Sequence, residues 1–357
     1  MKKVHNYSAG PCILPPEVLK QAAEAVVEFE GMGLSLLEIS HRSKQFEAVM
    51  DESRHLVREL LHVPDNYSVV FLQGGATLGF TIAPYNFLPV GGKAAYVNTG
   101  TWATGALKEG IRMGNAVEIA SSESSNFNHI PKGYSIPADA DYLHLTSNNT
   151  IYGTQFKDFP ASPVKVICDM SSDIFARQIN VSDFAMIYAG AQKNMGPAGA
   201  TLYIVNNDLL GKSGRNIPVY LDLVQHIKKD SMYNTPPVYS VYVSMLTLRW
   251  LKNLGGVPVM EKINEEKART LYAEIDLNPL FKGHSVAEDR STMNATFTLT
   301  DESLADEFDA LWKSAGISGI KGHRSVGGYR ASMYNALPLE SVKVLVEVMR
   351  ELALKKA

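Results

Sequence analysis

Cysteine is nearly absent from this chain. Cys12 and Cys168 are the only two among 357 residues, too few for a disulfide framework or a zinc cluster, so no metal site is expected. A basic excess is also missing. The 34 Lys and Arg are outnumbered by 37 Asp and Glu, giving a formal net charge of −3. With no long basic run, neither nucleic acid nor an anionic membrane surface is an expected partner. No stretch reaches the roughly 20 apolar residues of a membrane-spanning helix. The start Met1-Lys2-Lys3-Val4-His5-Asn6 lacks the apolar core of a secretory signal, so a cytoplasmic location is the expectation. Internal repeats and low-complexity segments are wanting too. What remains is an ordinary globular composition, 45% hydrophobic, in a chain longer than a single core usually supports.

Apolar runs of strand length alternate with helical patterns, which predicts an α/β architecture with a largely parallel sheet. The candidate strands are Ser68–Leu72, Lys93–Val97, Tyr142–Leu145, Val164–Cys168, Ala185–Ala189 and Ala200–Val205; Cys168 is expected in the core. A helix over about Ser43–His62 would bury Phe46, Val49, Met50, Val57, Leu60 and Leu61 on one face, with Ser43 as its N-cap. Gly255-Gly256-Val257-Pro258 interrupts the pattern and marks the expected domain boundary. The expected organisation is an N-terminal segment 1–14, a large domain 15–255 and a smaller C-terminal α/β domain 256–357. The last contains helices near Met260–Ile275, Ser303–Ala315 and Leu339–Leu354 and a strand near Asn294–Leu299.

Two polar residues stand out against this scaffold. Asp169 follows one apolar strand, and Lys193 follows the next, in Gly190-Ala191-Gln192-Lys193-Asn194-Met195-Gly196-Pro197-Ala198-Gly199. Parallel sheets bind ligands at the carboxyl ends of their strands. An amine and a carboxylate there suit pyridoxal phosphate. The amine holds the aldehyde as a Schiff base, and the carboxylate keeps the pyridine nitrogen protonated. A turn-capping Asp and a solvated Lys are the plainer alternatives. Ser68 through Thr77 supplies a second requirement: a strand, the glycine turn Gly74-Gly75 and a helix start whose N–H groups and Thr77 hydroxyl suit a phosphate. Trp102 follows another strand end, where its indole either stacks on a flat ring or packs in the core.

These residues belong to ordered motifs along nearly the whole chain: Asn6-Tyr7-Ser8-Ala9-Gly10-Pro11, Glu38-Ile39-Ser40-His41-Arg42-Ser43, Gln73-Gly74-Gly75-Ala76-Thr77, Asp169-Met170-Ser171-Ser172-Asp173, the Lys193 segment, Tyr233-Asn234-Thr235-Pro236-Pro237, and Gly322 through Ala336. In them the chain resembles the phosphoserine aminotransferases, class-V enzymes of fold type I that depend on pyridoxal 5'-phosphate.

The resemblance implies a large domain with a mostly parallel sheet of the seven-stranded type and a smaller C-terminal domain. It makes Lys193 the Schiff-base lysine and proton shuttle, with Asp169 as partner of the ring nitrogen and Trp102 stacked on the ring. Ala76, Thr77 and Gln192 would hold the phosphate, and Thr150 would contact the ring hydroxyl region. Asn234 and Thr235 would reach the phosphate from a second subunit of a homodimer with shared sites. Arg330 is the candidate for the substrate α-carboxylate. His41, Arg42, His323 and Arg324 are the candidates for the distal anion, because cationic side chains match carboxylate and phosphate. The implied reaction is ping-pong transamination between glutamate and 3-phosphohydroxypyruvate, yielding 2-oxoglutarate and phosphoserine in serine biosynthesis. Action on 4-phosphohydroxythreonine in pyridoxine biosynthesis is a further expectation. The chain departs from many relatives in carrying Thr77 where some have arginine and Asn149 where many have glutamate. The rivals are an alanine–glyoxylate type of aminotransferase, a cysteine desulfurase, for which both cysteines look badly placed, and a non-catalytic binding protein of the same fold.

Overall fold

The computed structural model describes residues 4–356. Met1–Lys3 and Ala357, which the expected terminal segments include, lie outside the described residues. The apolar runs form a seven-stranded sheet of β1 (Tyr67–Gln73), β2 (Lys93–Asn98), β3 (Asn115–Ser121), β4 (Tyr142–Thr146), β5 (Lys165–Asp169), β6 (Met186–Gly190) and β7 (Ala200–Asn206). Their order across the sheet is β1-β7-β6-β5-β4-β2-β3. Strands β2 through β6 pair in parallel, whereas β7 is antiparallel to both its neighbours. The reversal follows from chain length. Residues 191–199 between β6 and β7 are too few for the crossover of a dozen or more that parallel neighbours need. Strand β3 is absent from the sequence expectation: it is an edge strand whose residues are only partly buried or exposed, so no apolar run announces it.

The longer helices are α1 (Pro16–Val27), α2 (Lys44–Leu61), α3 (Ala76–Phe87), α4 (Thr101–Met113), α5 (Val238–Asn253), α6 (Val257–Leu277), α7 (Ala305–Ser314) and α8 (Leu339–Lys356). Alternation along the strands splits the side chains between two faces. Val69, Phe71, Val97, Leu143, Leu145 and Ile187 join a core with α1, α2 and α5. Val70, Leu72, Tyr96, Tyr142, Tyr188 and Tyr203 join another with α3 and α4. Ser43 caps α2, its Oγ accepting from Phe46 N at 3.3 Å, and the six predicted apolar residues of that helix are all buried. Cys168 is fully buried in the first core. Among the described residues no helix is long and apolar enough to cross a membrane.

A separate core gathers around the antiparallel strands β8 (Phe281–Gly283), β9 (Asn294–Leu299) and β10 (Tyr329–Ser332). Helix α8 contributes Val342, Leu345, Val346, Met349 and Leu352 to it, all buried. Between α5 and α6 the chain turns at Gly255 and Gly256, with φ of +111° and +76°. The turn after β10 is fastened tightly. Buried Lys267 of α6 donates from Nζ to the carbonyls of Met333, Tyr334 and Leu337 at 2.9, 2.8 and 3.1 Å. Asn335 in that turn donates its backbone N–H to Asn194 Oδ1 at 2.9 Å, so the β10 side of the molecule is pinned beside Lys193.

Candidate active site

The carboxyl ends of five strands converge on one cavity. Thr146 and Asp169 are the last residues of β4 and β5 and face each other in register, and Gln192 and Lys193 follow β6. Strand β1 leads through Gly74 and Gly75 into α3, and β2 leads to Trp102 in the first turn of α4. The cavity, about 390 Å³, is lined among others by Lys193, Asp169, Ala76, Thr77, Gln192 and Trp102. Thr150, His323 and Arg330 also line it. Trp102 is 39% exposed, which rules out the core-packing alternative.

Lys193 is buried, and its Nζ donates to Thr150 Oγ1 at 2.8 Å and Ser172 Oγ at 2.7 Å. Burial pushes its pKa down to about 8, with the Asp169 carboxylate as the main opposing influence. About a tenth of the amine is therefore neutral and nucleophilic at pH 7, far more than for an ordinary lysine. Asp169 is also buried, and this raises its carboxyl above the ordinary range, opposed by Ser171 and by the charge of Lys193. Its Oδ1 accepts from Ser171 N at 2.9 Å and from Ser171 Oγ at 2.6 Å. Asp173 accepts from Ser147 Oγ and, at 3.0 Å, from Gln155 Nε2. Asp173 has its cation in Arg177, whose Nη2 lies 3.5 Å away, whereas Asp169 faces the cavity, where a cationic group of a ligand would compensate its burial.

The phosphate-like cradle is built at the start of α3. Gly74 takes φ +124°, a conformation that favours glycine, and its N–H donates to Gly199 O at 3.0 Å. The N–H groups of Gly75, Ala76 and Thr77 have no hydrogen-bond partner among the described residues, as the first turn of a helix leaves them. Two more groups are orphaned on residues that line the cavity: Thr146 Oγ1 and Arg330 Nε are buried without partners. Arg330 Nη1 makes only a long contact, 3.4 Å, to Thr150 O.

Several expected residues stay away from this cavity. His41 and Arg42 precede α2, with Arg42 exposed, and neither lines it. Asn234 and Thr235 lie outside it too, Asn234 Nδ2 donating to Thr235 O at 3.1 Å. Arg324 is exposed and does not line it, although His323 does. Of the two departures, Thr77 faces the cavity, whereas Asn149 is buried behind it, donating to Thr99 Oγ1 at 2.8 Å. Ser171 and Ser172 were not singled out from the sequence, yet they hold Asp169 and Lys193. The available signal is their position two and three residues after the aspartate. Cys12 is closer to the site than expected: its Sγ donates to the Lys193 carbonyl at 2.7 Å. Burial nevertheless pushes that thiol up to about 12, which leaves it without nucleophilic thiolate.

A larger cleft, about 600 Å³, lies elsewhere, between Ile130–Ile136 and Phe156–Pro163. Its Lys132 is paired with Glu288 at 2.7 Å and Asp289 at 3.5 Å, and its Lys157 is an exposed residue whose Nζ donates to the Arg290 carbonyl. Chemistry therefore selects the smaller cavity over the larger one.

Residues 4–345 match the family model described as aminotransferase class-V. The chain is 63% identical over 353 residues to the phosphoserine aminotransferase of Flavobacterium psychrophilum, covering 99% of each. It is similar to the solved phosphoserine aminotransferase of Bacillus circulans subsp. alkalophilus, with 42% identity, a TM-score of 0.96 and full coverage of both chains. A PLP-bound phosphoserine aminotransferase from Trichomonas vaginalis has 34% identity and a TM-score of 0.93, over 98% of this chain and 100% of that one. With a lysine and an aspartate at neighbouring strand ends and these likenesses over its full length, the chain belongs to the class-V aminotransferase family, among its phosphoserine aminotransferases.

Proposed function

We propose that the chain uses pyridoxal 5'-phosphate to transfer the amino group between glutamate and 3-phosphohydroxypyruvate, producing phosphoserine and 2-oxoglutarate in serine biosynthesis. The observation that carries this reading is the buried Lys193 amine facing the same cavity as buried Asp169. The names of the most similar relatives support it. The residues also fit the cofactor. The three unpartnered N–H groups at the start of α3 suit its phosphate, Asp169 suits a protonated ring nitrogen, and the open face of Trp102 suits a stacked ring.

Pyridoxal phosphate, when bound, supplies an aldehyde for the amine and a ring that accepts the electrons of a deprotonated α carbon. Lys193 Nζ would hold the cofactor through its aldehyde and, when free, carry the substrate's α proton; Thr150 Oγ1 and Ser172 Oγ orient the amine by accepting from it. Asp169 keeps a positive charge on the ring nitrogen, and that charge draws its own carboxyl back down from the raised value burial imposes. Gly75, Ala76, Thr77 and Gln192 bind the phosphate. Arg330, with Nε unpartnered, would bind the α-carboxylate common to all amino-acid substrates, and His323 with its neighbour Arg324 would meet the distal anion. The large domain 15–255 would thus supply the chemistry and the small domain 256–357 the substrate clamp, while of the N-terminal segment Tyr7 packs in the smaller core and Cys12 N–H donates to Gln192 O. The same clamp serves 4-phosphohydroxythreonine, which has the same charged ends.

Single-substitution kinetics test the substrate assignment. Arg330→Ala is expected to lower kcat/KM for phosphoserine, glutamate and alanine alike. Arg42→Ala is expected to spare alanine but to cost phosphoserine and glutamate about 1.5–3 kcal/mol, or roughly ten- to a hundredfold. Equal losses for alanine and phosphoserine in Arg42→Ala would remove that residue from the substrate site.

His41, Arg42, Asn234 and Thr235 complete the cavity of a second copy in a homodimer, which accounts for their distance from the cavity of their own chain. Mixing inactive Lys193→Ala chains with inactive Asn234→Ala chains should then restore part of the activity, because some dimers hold one intact site. No recovery after verified subunit exchange would contradict shared sites.

A further inference from the structure

Behind the cavity the sheet carries an unusual stack. Tyr188 of β6 stands opposite Asp169 of β5 and Tyr203 of β7 and is fully buried. Its hydroxyl lies 2.9 Å from His144 Nε2. His144 stacks in turn on Tyr96, with 5.0 Å between ring centroids and 23° between planes. Burial holds His144 at about 3, so the imidazole stays neutral at working pH. Phe80 meets the Tyr188 ring edge-on at 6.3 Å. The ring is therefore fixed at its backbone end, at its hydroxyl and along its side.

Helix α3 rests on this ring at Gly79. A Cβ built at Gly79 would lie 2.6, 2.8 and 3.0 Å from Tyr188 Cδ2, Cε2 and Cγ, well inside ordinary contact. The ring cannot swing aside without losing His144, so an added methyl must lift the helix instead. Gly79 sits within one turn of Gly75, Ala76 and Thr77, and any lift of α3 is passed to their N–H groups.

We propose that Tyr188 is a positioning residue: locked by His144, its ring is the seat that sets the height of α3 and so aims the first-turn N–H groups at the cofactor phosphate. The proposal rests on the pyridoxal-phosphate reading above. It runs against local propensity, since alanine is the better helix former at an interior position. Without a seat, Gly79→Ala should strengthen α3 and leave cofactor binding intact.

Cofactor-depleted full-length chains titrated with pyridoxal phosphate, followed by visible absorbance, separate these outcomes. For Gly79→Ala the dissociation constant is expected to rise roughly tenfold or more, the effect of misaligning charge-assisted hydrogen bonds. In Gly79→Ala/Tyr188→Leu, where the ring makes way for the methyl, binding should be tighter than in Gly79→Ala alone. If Gly79→Ala does not fold, folding of the double variant with measurable cofactor binding supports the seat, and failure of the double variant to fold as well contradicts it. Unchanged binding by Gly79→Ala, or a double variant no tighter than the single one, would overturn the proposal while the wild type still binds. A wild type that takes up no cofactor would overturn the underlying reading and the proposal with it.

Discussion

Lys193→Ala is expected to remove the visible absorbance of lysine-bound pyridoxal phosphate and to lower turnover by roughly 10³-fold or more, since nucleophile and proton carrier are lost together. Stability should move the other way. Burial lowers the folded-state pKa of Lys193 from 10.5 to about 8, so between those values the unfolded chain binds more protons than the folded one. Stability then rises with pH across that window, and at neutral pH the buried ammonium is a cost. Thr150 Oγ1 and Ser172 Oγ are 2.7 Å apart and satisfy each other when the amine is gone. Cofactor-free Lys193→Ala should therefore unfold at no lower denaturant concentration than the cofactor-free wild type at pH 7. A midpoint clearly below wild type would show that the amine contributes to the fold rather than straining it.

The second large effect belongs to Asp169→Asn. The cofactor is still expected to attach to Lys193, so the visible band persists, but turnover should fall by roughly 10²-fold or more. An amide cannot stabilise the protonated ring nitrogen as a carboxylate does. It also keeps the size of the aspartate, and Ser171 can still hydrogen-bond to it, so the loss would report charge rather than collapse of the site. Near-normal turnover would mean that another group carries the ring's counter-charge.

Most of the sheet was legible because its strands are short apolar runs bounded by glycine or polar residues. Strand β3 was not: it is an edge strand with its residues only partly buried or exposed, and tertiary pairing, not composition, makes it a strand. The reversed direction of β7 was encoded in the short connection 191–199 rather than in any residue type. Lys193 and Asp169 could be picked out because ionisable groups at or within a few residues of the ends of apolar strands are conspicuous. Ser171, Ser172 and Thr146 could not, since a hydroxyl near a strand end reads as an ordinary turn until its partner is seen. His144 and Tyr188 lie within apolar strands and look like core residues; their hydrogen bond joins β4 and β6 across the intervening β5. His41, Arg42, Asn234 and Thr235 come from the family resemblance, and one chain alone does not bring them to its cavity.

We propose that Lys193, Asp169 and the α3 cradle run a two-stage amino transfer on a phosphorylated amino acid. It is tested most directly by mixing the purified, cofactor-loaded chain with phosphoserine and no 2-oxo acid. The lysine-bound absorbance band is expected to disappear, with one equivalent of 3-phosphohydroxypyruvate formed per active site. Adding 2-oxoglutarate afterwards should restore the band and release glutamate. A band that phosphoserine leaves unchanged while alanine discharges it, or product that forms only when both substrates are present together, would contradict it.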